Sequence, residues 1–242
     1  MARFTILSTR PLSPDILQDL SDKDIEVVTE SFIQVQTIQS ASLQEKMQAY
    51  AQQSITAIFT SQNAWLGVAE NLPPNTPALS GWTIFCLSGA TLQAIMNSQL
   101  VEPLQVAGIA PEAALLAPQI THYSPAGELV FFCGNQRRNV IPDALHAAAI
   151  PCTEIKVYKT VATPVTINKI VDAVLFFSPS AVKSFFGTNQ LPPHIPCFAI
   201  GQTTAGAIRT MVPNPVMASP QPDPVTLLNN AIEYLQSKDQ HQ

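Results

Sequence analysis

The sequence predicts an α/β protein of two similar domains, each a parallel sheet flanked by helices, joined by a two-stranded linker with a cleft between them. Three observations predict it. Short apolar runs alternate with helix-compatible stretches along the chain, the pattern of parallel sheets. Several runs are apolar at nearly every position, as in strands covered on both faces. An internal repeat relates the two halves, with one of its blocks out of order.

Taken in order, the first strand is expected at residues 4–7, Phe-Thr-Ile-Leu, closing at the turn Ser8-Thr9-Arg10-Pro11. A helix at 14–20 follows Pro14, a residue suited to a first helical position. Residues 25–28 form the next strand. Segments 31–37 and 155–163 both alternate apolar and polar residues and read as the paired linker. The remaining strands are expected at 57–59, 83–87, 104–107, 129–133, 173–177, 197–200 and 216–218, and the remaining helices at 43–53, 90–97, 138–149, 181–186, 204–210 and 225–236. Prolines, 21 in all, cluster in connectors such as Leu72-Pro73-Pro74 and Gln221-Pro222-Asp223-Pro224.

The repeat aligns Ala57-Ile58-Phe59-Thr60-Ser61 with Val174-Leu175-Phe176-Phe177-Ser178, and Ser88-Gly89-Ala90-Thr91 with Gly201-Gln202-Thr203-Thr204. Val106-Ala107 with Pro111 aligns with Met217-Ala218 with Pro224. The crossed pair is Phe4 to Arg10 against Phe131 to Arg137, each followed by Pro-Asp. If both halves fold alike, the opening block completes the domain at the end of the chain. The expected domains are then 1–30 with 164–242, and 38–154, with 31–37 and 155–163 as linker strands.

The chain has 242 residues, 46% of them hydrophobic and 12% charged, enough to bury a sizeable core. Its net charge is −5, with only 12 Lys and Arg, which argues against nucleic acid as a partner. No apolar run approaches the ~20 residues that span a bilayer, and the opening reads as a strand and not a signal peptide, so a cytoplasmic location is expected. Cys86, Cys133, Cys152 and Cys197 show no C-x-x-C spacing, and three sit in or beside strand-like runs, where buried thiols are the simpler reading. His122, His146, His194 and His241 form no i, i+4 pair. No metal site is expected.

The strand ends are rich in hydroxyls: Thr60, Ser61, Ser88, Thr91, Ser178, Ser180, Thr203 and Thr204. Ligands of open α/β sheets bind outside the carboxyl ends of the strands. A helix start offers unpaired N–H groups and a positive dipole end to an anion. Ordinary capping explains any one hydroxyl; recurrence at four strand ends points to a polyanion held by backbone donors and not by ion pairs. Arg10, Arg137 and Arg138 are the nearest cations by sequence. Gly134, in Cys133-Gly134-Asn135-Gln136-Arg137-Arg138, follows a strand, but neither the Walker pattern nor G-x-G-x-x-G is present. Tyr158 in the second linker strand offers a phenol as hydrogen-bond or proton donor; a half-buried linker aromatic is the plain alternative.

These segments together resemble the uroporphyrinogen-III synthase family. The resemblance runs through Ile58-Phe59-Thr60-Ser61-x-Asn63-Ala64, Gly89-Ala90-Thr91, Phe132-Cys133-Gly134-Asn135, Val157-Tyr158-Lys159-Thr160-Val161-Ala162, Phe176-Phe177-Ser178-Pro179-Ser180-Ala181, Ala199-Ile200-Gly201-Gln202-Thr203-Thr204-Ala205 and Ala218-Ser219-Pro220. Each motif is weak alone; their joint order and spacing over nearly the whole chain is specific. Gln62 and Ser88 depart from the usual pattern, away from the chemistry.

The resemblance implies a cofactor-free, monomeric lyase of tetrapyrrole biosynthesis. Its substrate is the linear tetrapyrrole hydroxymethylbilane, and its products are uroporphyrinogen III, with ring D inverted, and water. The family route passes through an azafulvene and a spiro intermediate. Tyr158 matches the tyrosine that helps the ring A hydroxyl leave. Substrate contacts carried over onto the motifs are Ser61, Asn63, Thr91, Gly134, Asn135, Ser178, Ser180, Ala181, Gln202, Thr203 and Thr204. A transient contact with the preceding pathway enzyme is compatible with this role. The alternatives are a non-catalytic two-domain clamp for a small polyanion and a nucleotide-dependent α/β enzyme, the latter disfavoured by the missing glycine motifs.

Overall fold

A computed structural model describes residues 3–18, 20, 24–123 and 127–239. The chain opens with β1 (Phe4–Ser8), α1 (Pro14–Gln18) and β2 (Ile25–Thr29), then passes through β3 (Ile33–Thr37). It continues with α2 (Ala41–Tyr50), β4 (Ile55–Phe59), α3 (Gln62–Asn71), β5 (Trp82–Leu87), α4 (Ala90–Asn97) and a 3-10 turn at Pro103–Gln105. Next come β6 (Val106–Ala110), α5 (Ala113–Thr121), β7 (Glu128–Gly134), α6 (Val140–Ala147) and β8 (Thr153–Ala162). The last stretch holds β9 (Ala173–Phe176), α7 (Pro179–Phe186), β10 (Cys197–Ala199), α8 (Gln202–Arg209), β11 (Val216–Ala218) and α9 (Pro224–Asp239). Asp19 and His241, which figured in the expected first helix and among the histidines, lie outside the described residues.

The chain divides into two compact units, Met1–Gln34 with Val161–Gln242, and Val35–Thr160. The first holds a five-stranded sheet in the order β11-β10-β9-β1-β2. Its pairs are parallel: Ile6 stands beside Ala173 and Ile25 beside Phe4. The second unit's sheet runs β8-β7-β4-β5-β6, again parallel from β8 to β6, with β3 added beside β8. Backbone bonds from Ile38 N–H to Val157 O (2.9 Å) and from Thr163 N–H to Phe32 O (3.0 Å) pair β3 with β8 in opposite directions. β8 thus pairs with β3 on one side and with β7 of the second sheet on the other.

Each sheet is covered on both faces, which is why its strands read as continuous apolar runs. In the first unit, Leu227, Leu228, Ala231, Ile232 and Leu235 of α9 pack on one face and Val182, Phe185, Ala205 and Ile208 of α7 and α8 on the other. In the second, Met47, Trp65, Val68 and Ile95 cover one face and Leu116, Ile120, Ile141 and Leu145 the other. Phe132 lies stacked between Phe59 (5.2 Å) and Trp82 (5.6 Å), and Trp82 donates its indole N–H to Tyr50 O at 3.0 Å. All four cysteines are free, and Cys86, Cys133 and Cys197 are buried.

Three elements differ from the sequence reading. The strand expected at 104–107 begins at Val106, because Pro103 opens a 3-10 turn that Gln105 closes by accepting from Glu102 N–H at 2.7 Å; Leu104 points to solvent, 99% exposed. α3 and α5 were not among the helices expected from the sequence. Gly67 sits in the middle of α3 and Pro118 inside α5, residues that weaken a helical pattern. Gly67 has a packing reason: a Cβ there would meet Val157 O at 2.6 Å, so the glycine lets α3 lie close against β8. Among the described residues, no helix is long and apolar enough to cross a membrane, and no three His, Cys, Asp or Glu gather to hold a metal.

Candidate active site

In each unit the strand order reverses at one pair of adjacent central strands. In the first unit this switch point lies between β1 and β9, and in the second between β7 and β4. The crevice outside the carboxyl ends of such strands is where open α/β sheets take ligands. Ser61, Asn63, Gly134, Asn135, Ser178, Ser180 and Ala181 fall at the ends of β4, β7 and β9, Thr91 and Gln202 to Thr204 follow β5 and β10 one strand away, and Tyr158 lies within β8.

In the second unit β8, β7, β4 and β5 are neighbours; Gly134 with Asn135, Ser61 with Asn63, and Thr91 stand at or just past the ends of β7, β4 and β5, and Tyr158 lies within β8, level with Gly134. The pairing of β8 with β7 steps from Cys133–Lys156 directly to Gly134–Tyr158, so Val157 is an extra residue on β8. Such a bulge re-aims the next side chain. Strict alternation would send Tyr158 to the face opposite Val157; instead both pack against the same cluster. The Tyr158 ring lies over Gly134, where a Cβ would come within 2.4 Å of Cζ and 2.9 Å of the hydroxyl oxygen. Gly134 leaves room for the phenol, where any side chain would collide with it.

Asn135 holds the next rung. Its backbone N–H donates to Tyr158 O at 3.3 Å, its Oδ1 accepts from Thr160 N–H at 2.8 Å, and its amide donates to Thr160 O at 3.3 Å. The side chain imitates a strand and fixes the backbone on both sides of Lys159. Arg137 is engaged too, pairing with Glu154 and bonding Asn139.

The helix starts singled out from the sequence are of two kinds. Ser61 caps α3 by accepting from Asn63 N–H at 3.2 Å, and Ser178 caps α7 by accepting from Ala181 N–H at 3.1 Å. Those two N–H groups are already committed. Ala181 is 1% exposed, its methyl in the core. Ser180 is half-buried beside it. At α4 and α8 the N-cap is a glycine, Gly89 or Gly201, and no side chain caps the helix. Their first turns hold Thr91, and Gln202, Thr203 and Thr204. Thr91 and Thr204 are buried, whereas Gln202 and Thr203 are exposed. Gly89 has φ +71°, a value that L side chains rarely adopt, while Gly201 is extended and open on its Cβ side.

One of the three cations named from the sequence has a setting in the first unit that the sequence did not reveal. Arg10, just beyond β1, lays its guanidinium 4.3 Å above the Phe177 ring. Its only sequence signal was a basic residue after a strand and before a proline.

Residues 15–229 match the family model described as uroporphyrinogen-III synthase HemD. A curated uroporphyrinogen-III synthase of Saccharomyces cerevisiae is 32% identical over 130 residues, covering 46% of this chain and 47% of that protein. The match thus spans about half the length of this curated relative. Among solved structures, the uroporphyrinogen-III synthetase of Helicobacter pylori superposes with a TM-score of 0.67 at 16% identity, over 96% of this chain and 99% of that one. A mutant uroporphyrinogen III synthase of Thermus thermophilus gives 0.60 at 13% identity, over 97% and 99%. At such identities the likeness is one of fold.

Proposed function

The chain belongs to the uroporphyrinogen-III synthase family, and from that premise we propose that it cyclises hydroxymethylbilane to uroporphyrinogen III with loss of water. The observation that carries this reading is the family match across 15–229, which takes in strand ends of both units. In this scheme the Tyr158 hydroxyl hydrogen-bonds the ring A hydroxyl and gives it a proton as the C–O bond breaks. Water leaves, and ring A becomes an electron-poor azafulvenium cation. The substituted carbon of ring D attacks it, and the spiro intermediate opens and recloses with ring D inverted. The proton lost from ring D on closure balances the one given to the leaving hydroxyl.

The reaction asks for little acid–base power. It asks that the substituted carbon of ring D meet the cation before the free one does, which is catalysis by positioning. Ser61, Asn63, Thr91, Ser178, Ser180, Ala181, Gln202, Thr203 and Thr204 line the proposed substrate-contact edges. Backbone donors at the uncapped starts of α4 and α8 suit its carboxylates. Gly134 and Asn135 act by holding Tyr158. We further propose that the protein works as a cytoplasmic monomer, with no cofactor in the scheme.

The initial rate of hydroxymethylbilane loss, with the substrate generated enzymatically, tests the reading. The expected result is a rate that rises with protein and saturates with substrate. Binding without acceleration would mean a non-catalytic clamp.

A further inference from the structure

Arg10 occupies a built position. Thr9 is 1% exposed and ties the end of β1 to β9, its N–H (3.0 Å) and its hydroxyl (2.8 Å) both donating to Leu175 O. Ser8 Oγ donates to Arg10 O at 2.6 Å. Pro11 follows and restricts Arg10 to extended backbone. Phe177, the platform under the guanidinium, is itself packed against the core cluster that contains Ile6 and Leu175. Backbone and ring together aim the side chain at the switch point between β1 and β9.

The group so held pairs with no acidic side chain among the described residues, unlike Arg137 with Glu154 or Lys169 with Glu26. Burial of part of the side chain draws its pKa down from the ordinary arginine value with no carboxylate opposing it, yet a guanidinium stays charged. Stacking engages one face of the plane and leaves the rim of N–H donors, in the fork geometry that matches a carboxylate in two bonds. A fixed, unpaired cation at a ligand-binding edge calls for an anion. Resting on the substrate proposed above, we propose that Arg10, set on Phe177, binds one side-chain carboxylate of hydroxymethylbilane and so helps fix which way the chain lies. It adds a single bidentate ion pair to a site otherwise served by backbone donors.

Steady-state kinetics on wild type, Arg10→Ala, Arg10→Lys and Phe177→Leu, with isomer analysis and melting temperatures, tests this. Arg10→Ala is expected to raise KM about tenfold or more, the scale of a lost charged hydrogen bond, with kcat and melting temperature nearly unchanged. Arg10→Lys, a point charge without the fork, should fall between. Phe177→Leu should raise KM about two- to fivefold, the scale of an exposed cation–π contact. Binding of uroporphyrin III, followed by its fluorescence, should weaken in parallel and lose part of its salt dependence in Arg10→Ala. Unchanged KM and uroporphyrin affinity in Arg10→Ala would overturn the proposal, as would a fall in kcat at constant KM. Should Arg10→Ala fail to fold, Arg10→Gln against Arg10→Lys makes the same comparison. Wild type run alongside separates the two inferences. No isomer III from wild type sinks the proposed reaction, whereas isomer III with an unaltered KM in Arg10→Ala sinks only the role of Arg10.

Discussion

At the scale of single residues, Tyr158 was visible in the sequence as an aromatic in an alternating segment, but its orientation was not. The bulge at Val157 arises from pairing with β7, and pairing partners more than twenty residues apart leave no local trace. Gly134 was legible as a glycine after a strand without a phosphate-binding motif around it; the ring that lies over it left no trace in the sequence. Tyr158→Phe is expected to lower kcat about tenfold, equivalent to ~1.4 kcal/mol of transition-state stabilisation, with the melting temperature unchanged. Gly134→Ala should cost more activity than Tyr158→Phe, because a methyl at that position displaces the whole ring. Equal activity of Gly134→Ala and wild type would remove the seat from the mechanism.

The buried thiols make a separate prediction. Burial raises Cys86 to about 11 and Cys197 to about 12, from 9.0. Above pH 9 the unfolded chain releases these protons while the folded chain keeps them. The folded state then binds more protons, so stability falls as pH rises, by up to about 1.4 kcal/mol per pH unit for each thiol. Denaturant titrations should show little thiol effect below pH 8 and a decline from about pH 9, shallower in Cys197→Ala. An identical decline in both proteins would assign it to other groups.

At the scale of elements, β9, β10 and β11 and helices α4 and α8 fell close to where apolar runs and periodicity put them. The misses have physical causes: Gly67 serves a tertiary contact that propensity cannot anticipate, and Pro118 looks like a helix breaker from the sequence alone. Hydroxyl-rich strand ends were legible, but the split between capped and uncapped helix starts was not, since it depends on which oxygen reaches which N–H. That split separates stability from function. Gly89→Ala should destabilise by about 1 kcal/mol or more, because φ +71° disfavours alanine. Gly201→Ala meets nothing within 4 Å and should fold normally, yet it sets a methyl at an uncapped helix start and should raise KM. Urea melts and kinetics on the two variants check both halves; unaltered kinetics in Gly201→Ala would take the α8 start out of the substrate site.

At the scale of the whole molecule, the crossed repeat was the most informative part of the sequence. The Phe4 block resembles the Phe131 block, and in the structure β1 pairs with β9 as β7 pairs with β4. Read from the edge, β11-β10-β9-β1-β2 and β6-β5-β4-β7-β8 are the same sheet cut at different points in the chain. What the repeat could not reveal was that β8 extends the second sheet while also pairing with β3, because an alternating segment is compatible with either partner. In the proposed reaction this chain closes hydroxymethylbilane with inversion by holding it, in competition with spontaneous closure, which leaves ring D uninverted. The most direct measurement is the isomer composition of the oxidised porphyrins as protein is titrated against a fixed amount of freshly generated hydroxymethylbilane. The type III share is expected to climb from near zero toward the whole as protein increases, and Tyr158→Phe to need about ten times more protein to reach the same share. A product that stays type I at every protein concentration would contradict it.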